Sequence, residues 1–206
     1  MLLATRRLFA VFKAALFVGA TLPLALLLWD ARGHALGKNP VSEALARLGL
    51  TALILLLASL ACTPLNLLFR WTFPVRLRRM LGLFAFFYAC LHLATYAALD
   101  QGLDFPEMAQ DIAQHPFILA GIATFLLLVP LAVTSPGAMV RRMGYARWKW
   151  LHRSVYLAAV LAVVHFWFKA REHPFEPTMY ALALVFLLGV RALFTFKRSS
   201  ARATAP

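Results

Sequence analysis

The sequence predicts an all-α integral membrane protein, a six-helix transmembrane bundle with its N- and C-termini in the cytoplasm. Two observations predict this fold. Of the 206 residues, 62% are hydrophobic and 14% charged, and the mean hydropathy is +0.75, a composition unlike that of soluble domains. Basic and acidic residues also segregate into alternate connections. We therefore expect a single transmembrane domain over 1–206, with a short basic cytoplasmic tail at 197–206.

Six apolar segments are long enough to cross a bilayer. Crossing about 30 Å of hydrocarbon takes about 20 helical residues, and a helix satisfies its own backbone polar groups in lipid. In order, the segments run from Leu8 to Trp29, Ala44 to Phe69, Met80 to Leu99, Pro116 to Val133, Trp150 to Phe168 and Met179 to Phe196. Their connections are short, so we expect no soluble catalytic domain on the chain.

Charge predicts the orientation of these segments. Most basic residues lie at or near the segment ends that face the cytoplasm if the N-terminus is inside: Arg6, Arg7, Lys13; Arg70, Arg76, Arg78, Arg79; Arg141, Arg142, Arg147, Lys149, Arg153; Arg191, Lys197, Arg198, Arg202. All eight acids fall on the other side. The positive-inside rule therefore places both termini in the cytoplasm. Basic loops facing anionic lipid explain the net charge of +13 without a nucleic-acid partner.

Two histidines lie deep in separate apolar segments, where a polar ring needs a partner. With a rise of about 1.5 Å per residue, His92 lies about 18 Å beyond Met80 and His165 about 22 Å beyond Trp150. Both segments run outward, so the two histidines should be level in the outer half of the membrane. Because imidazole is an axial haem ligand, a haem between these helices could take one histidine on each face. The alternative is hydrogen bonding between helices.

A third histidine, His152, lies at the inner boundary, about 3 Å from Trp150. The third segment has no histidine opposite it, because Arg78 or Arg79 occupies the matching position. A second bis-histidine haem is therefore not expected. Three roles remain open for His152: ligating a second haem with a weaker partner such as Met80, contacting a flavin, or contacting a quinone. A methionine at a helix end usually serves packing. The remaining histidines should be solvated: His34, His115 and His173.

Several strings of this sequence resemble the MsrQ family, formerly called YedZ. They are RMLGLFAFFYACLH at 79–92, LAVTS at 131–135, WKWLHRSVY at 148–156 and HFW at 165–167, together with GKNP at 37–40 and TPL at 63–65. The family comprises haem-binding membrane subunits of the bacterial MsrPQ methionine sulfoxide reductase system and is related to the ferric reductase-like transmembrane domain.

The resemblance implies a subunit of the bacterial inner membrane that carries b-type haem and FMN. It would pass electrons from the quinone pool to a periplasmic molybdopterin-dependent methionine sulfoxide reductase, an MsrP-like subunit with which it forms a heterodimer. His92 and His165 match the family's haem histidines. His152 matches the third family histidine, whose role stays open between haem and flavin.

Four arginines at the inner boundary, Arg78, Arg79, Arg147 and Arg153, could bind a flavin phosphate or haem propionates, because guanidinium pairs with such oxygens bidentately. Positive-inside topology alone also explains them. Trp148 could stack on a cofactor, although aromatic residues are common at the interface.

The function that these features predict is electron transfer by a subunit without a catalytic domain of its own. One alternative is a ferric-chelate or other transmembrane haem reductase, which usually carries a cytosolic flavin and nicotinamide domain; the sequence has no GxGxxG fingerprint. Another is a non-redox six-helix transporter or adaptor. For electron transfer, the acceptor should dock outside, at Asp100 to Asp111 and the loop from Lys169 to Pro177.

Overall fold

The computed structural model describes residues 2–170 and 174–203, and side chains for 9–170 and 174–197. This part of the chain is helical, without strands. The helices are α1 (Leu2–Arg32), α2 (Pro40–Phe69), α3 (Phe73–Thr95), α4 (Phe105–Gln114), α5 (Pro116–Val133), α6 (Gly137–Met143), α7 (Tyr145–Leu151), α8 (Ser154–Lys169) and α9 (Phe175–Ala203). A π-helical turn, Tyr96–Asp100, continues α3. By length and composition, six spans can cross a membrane, α7 and α8 together forming the fifth. The predicted six-helix fold is confirmed.

The third span begins seven residues earlier than predicted. The sequence predicts a start at Met80, after the arginines, but α3 starts at Phe73, with Pro74 in its first turn, a position that suits proline. Arg78 and Arg79 are therefore helical residues. A long arginine stem can lie along an apolar helix while its guanidinium reaches polar surroundings, so these charges do not end the helix.

Two short helices, α4 and α6, were not predicted, and α9 continues through Ala203 into the predicted tail. Helix α4 is amphipathic, and its N-cap Asp104 accepts a hydrogen bond from the Glu107 amide. This capping satisfies an amide that has no partner within the helix. The acidic connection after α3 is therefore ordered.

Two helix pairs form the centre of the bundle. Helix α2 packs along α3, and α5 packs along α8. Ala158 and Ala159 on α8 are fully buried, and small residues let membrane helices approach closely. The two pairs meet where α3 packs against α5 and α2 against α8. His92 belongs to the first pair and His165 to the second.

Helix α1 is joined to this centre by the buried Tyr88 of α3. The Tyr88 hydroxyl donates to the carbonyl of Ala20 at 2.7 Å and accepts from the amide of Leu24 at 3.1 Å. These two backbone groups bond to each other in an uninterrupted α-helix. The hydroxyl is thus inserted into the hydrogen-bond ladder of α1, next to Pro23.

The described acids lie at one end of the bundle, as the alternation of the spans requires. At this end Arg47 of α2 pairs with Asp30 at 2.5 Å and with Glu43 at 2.7 Å. Glu172 lies outside the described residues. The side of the membrane that this acidic end faces stays a prediction.

Candidate functional site

The structure brings His92 of α3 and His165 of α8 together near the acidic end of the bundle. Their ring centroids are 6.2 Å apart and their planes are inclined by 83°. The two residues lie 73 positions apart in the sequence, so only the packing of the two helix pairs makes them neighbours.

Both rings are held by a backbone carbonyl of the helix that pairs with their own. Nδ1 of His92 lies 3.0 Å from the carbonyl oxygen of Leu45 on α2. Nδ1 of His165 lies 2.8 Å from that of Phe117 on α5. A carbonyl only accepts, so Nδ1 donates and carries the proton in each neutral ring. The lone pair of Nε2 is then the free one, which is the arrangement typical of metal-ligating histidine.

The separation of the rings fits two imidazoles on opposite sides of one metal ion. Metal–imidazole bonds are about 2 Å long, and with about 1 Å more from nitrogen to ring centre on each side, the centroids should be about 6 Å apart. No cluster of three or more histidine, cysteine or acidic residues occurs within the described ranges. Two histidines at this distance could hold an ion whose other ligands come from a prosthetic group, as in haem.

His152 is placed differently, at the junction of α7 and α8. Its Nε2 lies 2.9 Å from the hydroxyl of Thr134, and Trp148 stacks on its ring with centroids 4.1 Å apart. The Thr134 hydroxyl donates to the carbonyl of Pro130, so it accepts from His152 Nε2–H. Trp148 donates to the Thr134 carbonyl at 3.0 Å. These contacts occupy Nε2, and only Nδ1 is left for another partner.

A cavity of 330 Å³ lies beside His152, between α2, α3, α5 and α7. This volume is at the lower end of ligand pockets, which are about 300–1,000 Å³. Its polar lining is formed by Ser59, Arg78, Arg79, Ser135, Trp148 and His152. The predicted contacts Arg147 and Arg153 do not line it, and neither does Met80. The structure thus brings four of the predicted inner-boundary residues to one cavity and leaves the other two arginines outside it.

Of the remaining histidines, His34 and His115 are exposed as predicted, and His173 lies outside the described residues, with part of the predicted docking loop. Asp111 on α4 accepts from Tyr96 at 2.7 Å and lies 2.9 Å from Nδ1 of His115. Asp111 therefore ties α4 to the end of α3 and the start of α5.

Sequence reasoning missed the partners of the histidines. Thr134 lies in LAVTS, one of the strings on which the family resemblance rests. Its hydrogen bond to His152 could be recognised only once the structure had placed that histidine beside it. The carbonyls of Leu45 and Phe117 carry no sequence signal, since every residue has one. Gly49 and Gly121, where an added Cβ would meet the two rings, could be recognised from the sequence only as glycines within apolar segments.

Comparisons with known proteins agree with this architecture. The family model described as "Ferric reductase like transmembrane component" matches residues 45–163. The chain is 50% identical over 188 residues to the protein-methionine-sulfoxide reductase heme-binding subunit MsrQ of Rhodospirillum rubrum, with 90% of this chain and 89% of the relative covered. It is 44% identical to the MsrQ subunit of Herminiimonas arsenicoxydans, with 92% and 88% covered. It is 42% identical to that of Xanthomonas axonopodis pv. citri, with 93% and 89% covered.

Proposed function

The chain belongs to the MsrQ family of ferric reductase-like transmembrane proteins, and we propose that it is the haem-binding membrane subunit of a protein-methionine-sulfoxide reductase system. It is a multi-pass membrane protein by its six spans. The proposal places it in a bacterial inner membrane as one transmembrane domain, with both termini in the cytoplasm, in agreement with the segregation of its charges.

The observation that carries the proposal is the geometry of His92 and His165. These two histidines would hold one b-type haem, each through the Nε2 that its Nδ1 hydrogen bond leaves free. The carbonyls of Leu45 and Phe117 fix the tautomer and orientation of the rings and make Nε2 a better donor. The haem, when bound, supplies a one-electron redox centre. Two histidines in an apolar bundle would hold the group away from water, which would favour electron transfer over oxygen activation.

We further propose that the inner cavity holds a second electron carrier, either FMN or the quinol that donates electrons. Arg78 and Arg79 supply two guanidinium groups for phosphate or other anionic oxygens, while the described acids lie at the opposite end. Trp148 and His152 supply a stacking surface and a ring Nδ1. Arg147 and Arg153 would contact parts of the ligand that extend beyond the cavity. Ligation of a second haem by His152 is the weaker alternative, because Thr134 occupies Nε2.

In the proposed direction, electrons pass from the quinone pool through this subunit to a periplasmic molybdopterin-dependent methionine sulfoxide reductase, an MsrP-like partner. The histidine pair supports this direction, since it lies near the acidic end, which the charge pattern places outside. The partner would dock at Asp100 to Asp111 and the adjoining loop from Lys169 to Pro177, forming a heterodimer.

Substitution of the three histidines tests the haem assignment. We expect His92→Ala and His165→Ala each to abolish or strongly perturb one low-spin haem signal, because each removes one of its two ligands. His152→Ala should spare that signal, since its ring is far from the pair. The measurement is the reduced-minus-oxidised absorption spectrum of the purified protein.

The opposite pattern, with the signal lost only in His152→Ala, would overturn the pairing. A wild-type protein without haem bands after expression with sufficient haem would remove every redox proposal. A six-helix transporter or adaptor would then be the better interpretation.

A further inference from the structure

Gly49 and Gly121 occupy equivalent places under the two histidine rings. On α2, Gly49 follows Leu45, whose carbonyl holds His92, by four residues. On α5, Gly121 follows Phe117, whose carbonyl holds His165, by four residues. Residues four apart lie on the same helix face. Each ring therefore lies beside one helical turn, with a hydrogen-bonding carbonyl at one end and a glycine at the other.

Neither glycine leaves room for a side chain. A Cβ on Gly49 would lie 3.1 Å from both Cε1 and Nδ1 of His92. A Cβ on Gly121 would lie 2.9 Å from Nδ1 and 3.0 Å from Cε1 of His165. Carbon atoms at optimal contact are about 3.5–4.0 Å apart, so even one methyl group would push against the imidazole. The atoms it would meet belong to the ring whose Nε2 is the proposed ligand.

We propose that Gly49 and Gly121 are positioning residues for the histidine pair, which let each ring lie against the facing helix and so fix the direction of its Nε2. This inference rests on the proposed role of His92 and His165 as axial ligands. The Nδ1 hydrogen bond alone fixes one point of the ring and allows rotation about it. Contact with the helix over glycine removes that rotation. Groups around a ligand that set its orientation tune a metal site as the ligands themselves do.

The two positions should differ in sensitivity. A Cβ on Gly121 would lie 2.9 Å from the His165 ring, so the ring or the helix would have to move. A Cβ on Gly49 would lie 3.1 Å from the His92 ring and would require a smaller movement. Gly121→Ala should therefore disturb the pair more than Gly49→Ala. Alanine favours a helix more than glycine does, so helix propensity cannot cause a loss in either variant.

The chain offers matched controls in its other membrane helices. Gly19 in α1 and Gly189 in α9 have nothing within 4 Å of an added Cβ. Each glycine is changed to alanine in the full-length, haem-loaded protein. The readouts are haem affinity, the low-spin ferric EPR signal, the midpoint potential and thermal stability.

We expect about a 10-fold loss of haem affinity in Gly121→Ala, with a shifted EPR signal and midpoint potential. Gly49→Ala should shift the same quantities less, and the two controls should match the wild type. EPR signals and potentials of both Gly49→Ala and Gly121→Ala that equal those of the controls overturn the inference. If Gly121→Ala cannot be purified, the EPR signal and midpoint potential of Gly49→Ala alone test the inference. If His92→Ala and His165→Ala also leave the haem signal intact, the proposed function itself fails; if they abolish it, only the inference on the glycines does.

Discussion

Several polar side chains in this bundle form their hydrogen bonds with the backbone of a neighbouring helix. His92 bonds to α2, His165 to α5 and Tyr88 to α1. In lipid no water replaces a lost partner, so each unsatisfied polar group costs free energy. The same hydrogen bonds therefore hold the helices together and orient the rings.

Tyr88→Phe should destabilise the protein by about 1–2 kcal/mol, because it removes a buried hydroxyl that both donates and accepts. Thermal unfolding of the purified protein in detergent measures the effect. Tyr180→Phe is the matched control, since the Tyr180 hydroxyl makes no hydrogen bond to the side chains and backbone that the structure describes. Equal stability of the two variants would mean that the Tyr88 hydroxyl does not anchor α1.

At the scale of elements, the acidic residues of α4 and of the segment before it, from Asp100 to Asp111, are of two kinds. Asp104 caps the helix and Asp111 bonds to Tyr96 and lies beside His115. Glu107 is exposed, and Asp100 has only its neighbour Gln101 as a hydrogen-bond partner in the described part of the chain. A test of electrostatic docking must therefore leave Asp111 in place.

The variant with Asp100→Asn, Asp104→Asn and Glu107→Gln should slow electron transfer to the partner, by about 10-fold at low ionic strength. Its salt dependence should fall, because such charges act mainly on association. Asparagine caps a helix as well as aspartate, so α4 and the haem content should be preserved. Stopped-flow reduction of the partner at several salt concentrations measures this. A wild-type rate at every salt concentration would exclude this surface as the electrostatic docking site.

At the scale of the whole molecule, the distribution of charge predicts how the bundle lies in the membrane. Cysteines introduced at the exposed positions Glu107 and Glu176, after replacement of Cys62 and Cys90, should react with an impermeant thiol reagent in intact spheroplasts. A cysteine at the exposed Arg142 should react only after the membrane is opened. If only the cysteine at Arg142 were labelled in intact spheroplasts, the orientation would be the reverse of the predicted one.

The number of spans could be predicted from the sequence because hydropathy and length are local properties. The pairing of His92 with His165 could be proposed because depth in a helix needs only the rise per residue. The first and last residues of the helices could be predicted less accurately. The arginines predict the end of a membrane segment, yet α3 starts at Phe73, because arginine side chains can extend along the helix to a polar boundary.

The sequence by itself determined that this chain crosses a membrane in six helices, which end of the helix bundle carries the acids, and which histidines lie at matching depth. These features follow from composition and spacing along one helix at a time. Tertiary structure alone decided that Thr134 occupies Nε2 of His152, that the carbonyls of Leu45 and Phe117 hold the deeper pair, and that Gly49 and Gly121 lie under their rings. The physical reason is that every residue offers a carbonyl and any glycine offers space, and only the packing of α2 on α3 and of α5 on α8 selects among them.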